Sequence, residues 1–139
     1  MQTDRMLLRA SFFLLLLSLF TGMAIPMFRN PRLGLSAHLT GLMNAGVLIA
    51  VAVAWPFLAG SRWSKLLRGL FLFDTYGIWF TNVLGAAWGA SRPFPLVSNG
   101  ITAPAWQELV VSAMVNIIVT IYIFTAAVTV WWLRPNAQP

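Results

Sequence analysis

Three ionisable side chains lie inside long apolar stretches of this sequence: His38, Asp74 and Glu108. An ionisable group within a membrane span is costly, so each of the three is a functional candidate. Imidazole is the side chain best suited to proton transfer near neutral pH, and a carboxylate can share a proton or stabilise a developing cation. These residue types favour proton-assisted chemistry on an apolar substrate.

Other chemistries are excluded by what the sequence lacks. It has no Cys, one His and three Asp/Glu, which rules out disulfides, thiolate metal sites, Cys nucleophiles and multi-His metal sites. It contains no phosphate-binding loop, no dinucleotide fingerprint and no Ser-His-Asp spacing. The nine Lys/Arg, which give a net charge of +6, are scattered singly between apolar runs. We therefore predict no nucleic-acid partner.

The composition is that of an integral membrane protein. Of the 139 residues, 59% are hydrophobic and 9% charged, whereas a soluble domain is roughly 25% charged. A bilayer core about 30 Å thick needs about 20 apolar residues per helix, and short linkers make consecutive helices antiparallel neighbours. We predict an all-α fold, a single membrane domain over 1–139 that forms a four-helix up-down bundle. The predicted transmembrane helices cover residues 6–28, 33–59, 69–90 and 105–133.

Basic residues predict the orientation of this bundle. Six lie at the end that carries both termini and three at the opposite end, which favours cytoplasmic termini in a multi-pass protein of the bacterial cytoplasmic (inner) membrane. Arg29, Arg32 and Arg92 then lie outside, where positive charge is unusual. They are either interfacial anchors or the mouth of a pocket covered by the loop over 93–104.

His38 and Glu108 are predicted to lie at similar depths in the outer half of the membrane. With about 1.5 Å of rise per residue, His38 lies roughly 7–8 Å below the outer surface and Glu108 about 5 Å below it. The alternative for His38 is helix packing with an interhelical hydrogen bond, and for Glu108 a favourable interaction with the helix dipole. Asp74 falls near the inner surface, where we expect it to pair with Arg68 or Lys65.

Three amides, Asn44, Asn82 and Asn116, form a deeper layer in which they could hydrogen-bond one another. Trp79 lies in the same zone; it suits a planar aromatic substrate, or else packing or lipid contact. Small residues repeat at three- and four-residue steps on the second and third helices, which favours close approach of a helix or a flat ligand and suggests a homo-oligomer. These small residues are Gly34, Ala37, Gly41 and Ala45, then Gly77, Thr81, Gly85 and Gly89.

The stretch from Asn30 to Gly41 has a more specific pattern, N-P-R-x-G-L-S-A-H-x-x-G, and it follows a Leu-rich stretch that ends in Thr21-Gly22. This pattern resembles the hydroxylaminobenzene mutase family of small, membrane-associated bacterial proteins. The resemblance covers nearly the whole chain. Further agreement comes from Tyr76-Gly77-x-Trp79, Ala86-Ala87-Trp88-Gly89-Ala90, the loop at Pro95, and Gln107-Glu108.

The resemblance implies an isomerase that converts an aryl hydroxylamine to the ortho-aminophenol by moving the hydroxyl group within the molecule, in nitroaromatic degradation downstream of a nitroreductase. Its partners are then a small aromatic hydroxylamine and membrane lipid. In a Bamberger-like rearrangement we expect His38 and Glu108 to be catalytic, by protonating the departing oxygen and stabilising positive charge. Trp79 would hold the ring. Asn44 or Asn82 would orient the hydroxylamine, and Arg29, Arg32 and Arg92 would close the mouth.

No cofactor and no metal is predicted on this reading, but two alternatives stay open. One is haem, with His38 as its axial ligand. The other is a non-catalytic membrane subunit or a transporter element, which the small number of polar residues favours. The grouping of His38, Glu108 and the outer arginines argues against that second alternative.

Overall fold

The structure is a computed structural model and describes residues 3–60 and 62–134. Within these ranges it contains four helices and no strand: α1 (Arg5–Ala24), α2 (Pro31–Leu58), α3 (Ser64–Trp88) and α4 (Ala105–Trp132). Two short 3-10 turns, Ile25–Met27 and Pro95–Val97, lie in the connections. The predicted all-α fold is confirmed. Residues 1, 2, 61 and 135–139 of the predicted domain lie outside the described residues.

The first two helices begin at clear capping signals. The Asp4 carboxylate accepts the backbone N–H groups of Met6 and Leu7 at 2.9 and 3.1 Å. The Asn30 side chain accepts the N–H of Leu33 at 3.2 Å, and the proline after it occupies the first helical position. Both caps satisfy N–H groups that a helix start leaves without partners.

The helix ends lie within five residues of the ends of the predicted apolar stretches. The largest difference is at the start of α3, which begins at Ser64 and not at residue 69. The polar residues before Gly69 interrupt the apolar pattern but not the helix, because Lys, Leu and Arg are all good helix formers. α3 ends at Trp88, and the next residue, Gly89, caps it with a φ of 73°, the left-handed conformation typical of a helix C-cap.

Consecutive helices pack antiparallel in an up-down bundle. Ser18 of α1 lies against His38 of α2, and Thr40 of α2 against Asn82 of α3. α1 packs mainly on α2, and α4 mainly on α3, so α2 and α3 form the central pair. We call the end that holds the start of α1 and the end of α4 the terminal end, and the end that holds residues 25–30 and 89–104 the loop end.

Three segments are long and apolar enough to cross a membrane: Arg5–Met27, Pro31–Leu58 and Ala105–Trp132. α3 has 25 residues but is less apolar, since it carries Lys65, Arg68 and Asp74. It nevertheless packs against both α2 and α4. The four helices therefore form a helical membrane bundle in which the most polar helix is central.

The small residues on α2 and α3 are covered within the chain. A Cβ at Gly41 would lie 2.7 Å from both Ser18 Oγ and Trp79 Cδ1, and one at Gly77 would lie 3.1 Å from Ile118 Cδ1. These positions let α1, α3 and α4 approach their neighbours closely. Because they serve packing inside one copy, they give no support to self-association, which stays a prediction.

Candidate functional site

His38 lies at the contact between α1 and α2. Its Nδ1 is 2.7 Å from the backbone oxygen of Ser18, and the Ser18 hydroxyl donates to the His38 backbone oxygen at 2.5 Å. A Cβ at Gly22, one turn along α1, would lie 2.8 Å from Nδ1. A carbonyl partner assigns the ring proton to Nδ1, so Nε2 of the neutral imidazole carries a lone pair. His38 can accept a proton or bind a metal ion through Nε2.

Trp79 and Asn82 reach from α3 toward the same part of α2. The Trp79 ring packs on Gly41, and Asn82 Nδ2 donates to Thr40 Oγ1 at 3.1 Å. Trp79 Nε1 and Asn82 Oδ1 are buried and have no hydrogen-bond partner within the described chain. Since residues three apart share a helix face, α3 presents one free donor and one free acceptor side by side. Gly41 and Ser18 connect this pair to His38.

Glu108 lies at the loop end, where it organises the connection between α3 and α4. Its carboxylate accepts three backbone N–H groups, from Ser91 at 3.3 Å, Arg92 at 2.8 Å and Ala103 at 3.0 Å. Both oxygens are therefore engaged. No contact joins Glu108 to His38 in the part of the chain that the structure describes. These contacts give Glu108 a structural role, while its predicted role in proton transfer stays a prediction.

The three outer arginines differ in their surroundings. Arg29 donates to the backbone oxygens of Trp88 at 3.1 Å and Thr102 at 3.3 Å, so it ties the end of α3 to the loop. Arg92 lines an open cleft of about 400 Å³ that also contains Glu108. Arg32 is exposed at the start of α2. Arg29 therefore has a structural role, and binding of a substrate by Arg29, Arg32 or Arg92 stays a prediction.

The predicted pairing of Asp74 with Arg68 or Lys65 is wrong. Arg68 instead forms an ion pair with Asp4, with Nη1 and Oδ2 3.2 Å apart. Asp74 is six residues from Arg68 and nine from Lys65. Side chains meet along a helix when they are three or four residues apart, so both cations face away from Asp74.

Asp74 is instead a fully buried carboxylate, at 0% exposure, that faces α4 near Thr125 and Tyr122. The Thr125 hydroxyl lies close to Asp74 and donates to the Ile121 carbonyl of its own helix at 2.9 Å. Neither carboxylate oxygen has a hydrogen-bond partner among the described residues. Burial of a carboxylate without donors is costly, so Asp74 is a stronger functional candidate than its predicted pairing at the inner surface allowed. The good helix formers before Gly69 could have indicated that α3 begins at Ser64, which places Asp74 three turns into the helix.

The three amides do not hydrogen-bond one another as predicted. Asn44 Oδ1 accepts the Tyr122 hydroxyl at 3.0 Å. Asn82 donates to Thr40, and Asn116 donates to a backbone oxygen of its own helix. Asn44 and Tyr122 therefore join α2 to α4 beside Asp74. We call Asn44, Asp74, Tyr122 and Thr125 the Asp74 cluster.

An apolar cavity of about 580 Å³ lies between α3 and α4 toward the terminal end. Thr125 lines it and also contacts Asp74, so the cavity and the Asp74 cluster are adjacent. The volume falls within the range of small-molecule sites, about 300–1,000 Å³. A small aromatic ring fits this size and chemistry. Its walls include Leu66, Leu70, Phe124, Val128, Trp131 and Trp132.

Comparison with known proteins agrees with a catalytic membrane bundle. A profile of the styrene oxide isomerase family matches residues 3–134. Hydroxylaminobenzene mutase HabB of Ectopseudomonas oleovorans is 37% identical over 133 residues, which cover 94% of this chain and 80% of that protein. Hydroxylaminobenzene mutase HabA of the same organism is 35% identical over 88 residues, 63% of this chain and 65% of that protein. No solved structure matches the chain significantly.

The family name and both relatives' names denote enzymes that rearrange a molecule without adding or removing atoms. They support an isomerase activity over the alternative of a non-catalytic subunit. The match extends over all four helices, including His38 and Asp74. The chain belongs to the styrene oxide isomerase family.

Proposed function

We propose that this chain rearranges an aryl hydroxylamine, such as hydroxylaminobenzene, to the ortho-aminophenol. The names of the two relatives support the substrate class. The observation that carries the proposal is the Asp74 carboxylate, buried without a donor beside an apolar cavity. An aryl hydroxylamine offers an apolar ring with one N–H and one O–H, the donors that this carboxylate lacks. Reduction of a nitroaromatic compound would supply such a substrate.

The rearrangement is balanced within one molecule. The N–O bond breaks, a C–O bond forms at the ortho carbon, the ring carbon loses a proton and the nitrogen gains one. Substrate and product are isomers, so no oxidant or reductant is required. The site must protonate the departing oxygen, stabilise a developing cation on the ring and exclude water that would otherwise attack it. A buried carboxylate in an apolar surrounding suits the second and third tasks.

The Asp74 cluster is the preferred substrate site in this proposal. The ring would occupy the apolar cavity past Thr125, and the hydroxylamine group would donate to Asp74. Asn44 is held by Tyr122 at 3.0 Å and keeps its amide N–H groups to orient the same group. Of the predicted substrate-binding residues, Asn44 therefore fits this location.

Trp79, Asn82 and His38 support a second location for the same reaction. The unpaired Trp79 Nε1 and Asn82 Oδ1 would bind the hydroxylamine, and His38 Nε2 would carry the proton. His38 and Asn44 are six residues apart on α2, so they project from different faces of that helix. One substrate molecule therefore cannot contact both sets of residues, and the two locations are alternatives.

The decisive experiment incubates membranes that contain the protein with hydroxylaminobenzene and measures 2-aminophenol by chromatography. Formation of 2-aminophenol at a rate above that of membranes without the protein supports the function, and its absence with correctly inserted protein contradicts it. At the preferred site, Asp74→Asn reduces turnover by on the order of 100-fold or more, whereas Trp79→Phe has a small effect. The reverse pattern would place the substrate beside His38.

In an alternative mechanism, a bound haem assists the isomerisation. The hydrogen bond of His38 supports this alternative. Ligating histidines commonly donate their other ring N–H to a carbonyl or carboxylate, as Nδ1 does here to Ser18. His38 would hold the haem iron through Nε2, and the iron would supply an electron-pair acceptor for the hydroxylamine. A Soret band in the purified protein that is lost in His38→Ala supports haem. A purified, active protein without a Soret band contradicts it.

The proposed location is the bacterial inner membrane with both termini in the cytoplasm. The contacts of Arg29 with Trp88 and Thr102 support this orientation, because they give a positive charge at the loop end a structural role. A homo-oligomer also remains a proposal. α4 also has exposed apolar side chains, including Ile117 and Ile123, which suit either lipid or another copy.

A further inference from the structure

A groove along α1 at the terminal end has an unusual combination of residues. Arg5, Arg9, Phe12 and Leu16 are spaced by four, three and four residues, so they share one face of α1. All four side chains are exposed, as is Phe13 beside them. This face presents two guanidinium groups at the start of the helix, followed directly by aromatic and aliphatic side chains.

The second wall of the groove comes from α3. Tyr76 lines it and donates its hydroxyl to the Ala10 backbone oxygen at 2.6 Å, which fixes the two helices at this level. α1 otherwise makes few contacts with α3. The resulting groove has a volume of about 910 Å³ and is open along its length.

Among the described residues, no carboxylate side chain forms an ion pair with Arg5 or Arg9. The sequence contains three Asp/Glu, and the structure describes all of them. Asp4 caps α1 and is paired with Arg68 at 3.2 Å, Asp74 is buried facing α4, and Glu108 lies at the loop end. The guanidinium groups of both arginines are therefore available to an anion from outside the protein.

We propose that this groove binds a phospholipid with a net negative headgroup. Arg5 and Arg9 lie about 6 Å apart along the helix axis, so both guanidinium groups can contact one headgroup, and arginine binds phosphate oxygens in a bidentate manner. An acyl chain then continues along Phe12, Phe13 and Leu16. The order of groups along the groove, cations first and apolar surface after them, matches the order of groups in a membrane lipid. Basic residues beside a membrane span favour anionic over zwitterionic lipids.

The first test compares lipid binding in nanodiscs made from equimolar phosphatidylcholine and phosphatidylglycerol. After mild removal of the disc, native mass spectrometry identifies the phospholipids that remain bound. We expect phosphatidylglycerol to be retained on the wild-type protein over phosphatidylcholine by on the order of tenfold. The double variant Arg5→Ala with Arg9→Ala loses this preference. The control variant Lys65→Ala with Arg134→Ala removes the same charge from the same end of the bundle, and we expect it to retain the preference for phosphatidylglycerol. Equal preference in all three proteins would overturn the proposal.

The second test keeps both arginines and so preserves insertion. The substitution Phe13→p-benzoyl-phenylalanine places a photo-reactive group in the groove, and Phe20→p-benzoyl-phenylalanine places one on the same helix beyond it. Phe13 and Phe20 are almost equally exposed, at 56% and 57%. We expect the first to cross-link phosphatidylglycerol in excess of its share of the bilayer, and the second to cross-link lipids in the bilayer ratio. Identical lipid ratios at both positions, or a cross-linked second copy of the chain at position 13, would overturn the proposal.

Discussion

The Nδ1 atom of His38 lies 2.7 Å from the backbone oxygen of Ser18, across the contact between α1 and α2. The Ser18 hydroxyl returns a hydrogen bond to the His38 backbone oxygen. A backbone acceptor cannot titrate, so the tautomer of the neutral imidazole is set by the packing of two helices. The orientation of His38 therefore depends on how closely α1 approaches.

Gly22→Ala tests this dependence. The new Cβ would lie 2.8 Å from His38 Nδ1, so the ring must move, and we expect a loss of stability of about 1–3 kcal/mol from overpacking. Gly46→Ala is the matched control, because a Cβ there meets nothing within 4 Å, and it should leave stability unchanged or slightly raise it. Thermal unfolding in detergent measures both. Equal melting temperatures for the two variants would show that Gly22 does not hold the ring in place.

Asp74→Asn is expected to raise stability and remove activity together. The substitution replaces a buried carboxylate that has no donor by a neutral amide of the same shape, which lowers the cost of burial. It also removes the negative charge that would stabilise the developing cation on the substrate. Turnover and melting temperature are measured on the same preparation. Asp4→Asn is the control: it keeps a side-chain oxygen at the cap of α1 but removes the ion pair with Arg68, so it should lower stability and spare turnover. An active or destabilised Asp74→Asn protein would count against the assignment.

Glu108→Gln separates the structural role of Glu108 from a catalytic one. Three backbone N–H groups lose a charged acceptor, so we expect the loop over 91–103 to open more readily, by about 1–3 kcal/mol. Hydrogen exchange of the Ser91, Arg92 and Ala103 amides measures this, with Ser98→Ala as a control in the same loop. If turnover disappears while these amides stay protected, Glu108 acts in the chemistry as first predicted.

The orientation is testable because the chain has no Cys. Leu96, at 94% exposure, lies at the loop end, and Gly60 lies at the terminal end. With cytoplasmic termini, a membrane-impermeant maleimide labels Leu96→Cys from the outer face of the inner membrane, and labels Gly60→Cys only after that membrane is permeabilised. The opposite pattern of labelling would reverse the proposed orientation.

The helices were predictable because apolar stretch length and capping residues act locally. Asn30 shows how far this goes, since it caps α2 as its position before Pro31 suggests. Its other contacts were not predictable: its side chain donates to Val97 and Ser98, and its backbone N–H to Ala86. These partners lie 56 to 68 residues away in sequence, and no local pattern encodes them.

The candidate site was less predictable, for the same reason. His38 was correctly noticed as the single imidazole within an apolar stretch, but its partners depend on the rotation of α1. Asp74 was misplaced because a shift of five residues in the start of α3 moves it about 7 Å deeper. Whether a carboxylate has a partner depends on which face of the helix it occupies relative to cations on other helices, as the pairing of Arg68 with Asp4 shows.

That pairing has a consequence for the biosynthesis of the bundle. Asp4 is bound by Arg68, 64 residues later in the chain, and the Asp4 backbone N–H donates to the Ala52 carbonyl at 3.2 Å. During translation, Asp4 therefore lacks Ala52 until most of the second helix has been made, and lacks Arg68 until the start of the third helix has left the ribosome. A nascent chain released before residue 68 leaves Asp4 as an unpaired acid at the membrane surface. The contacts of Asp4 at the start of the first helix thus form only after the third helix has packed against it.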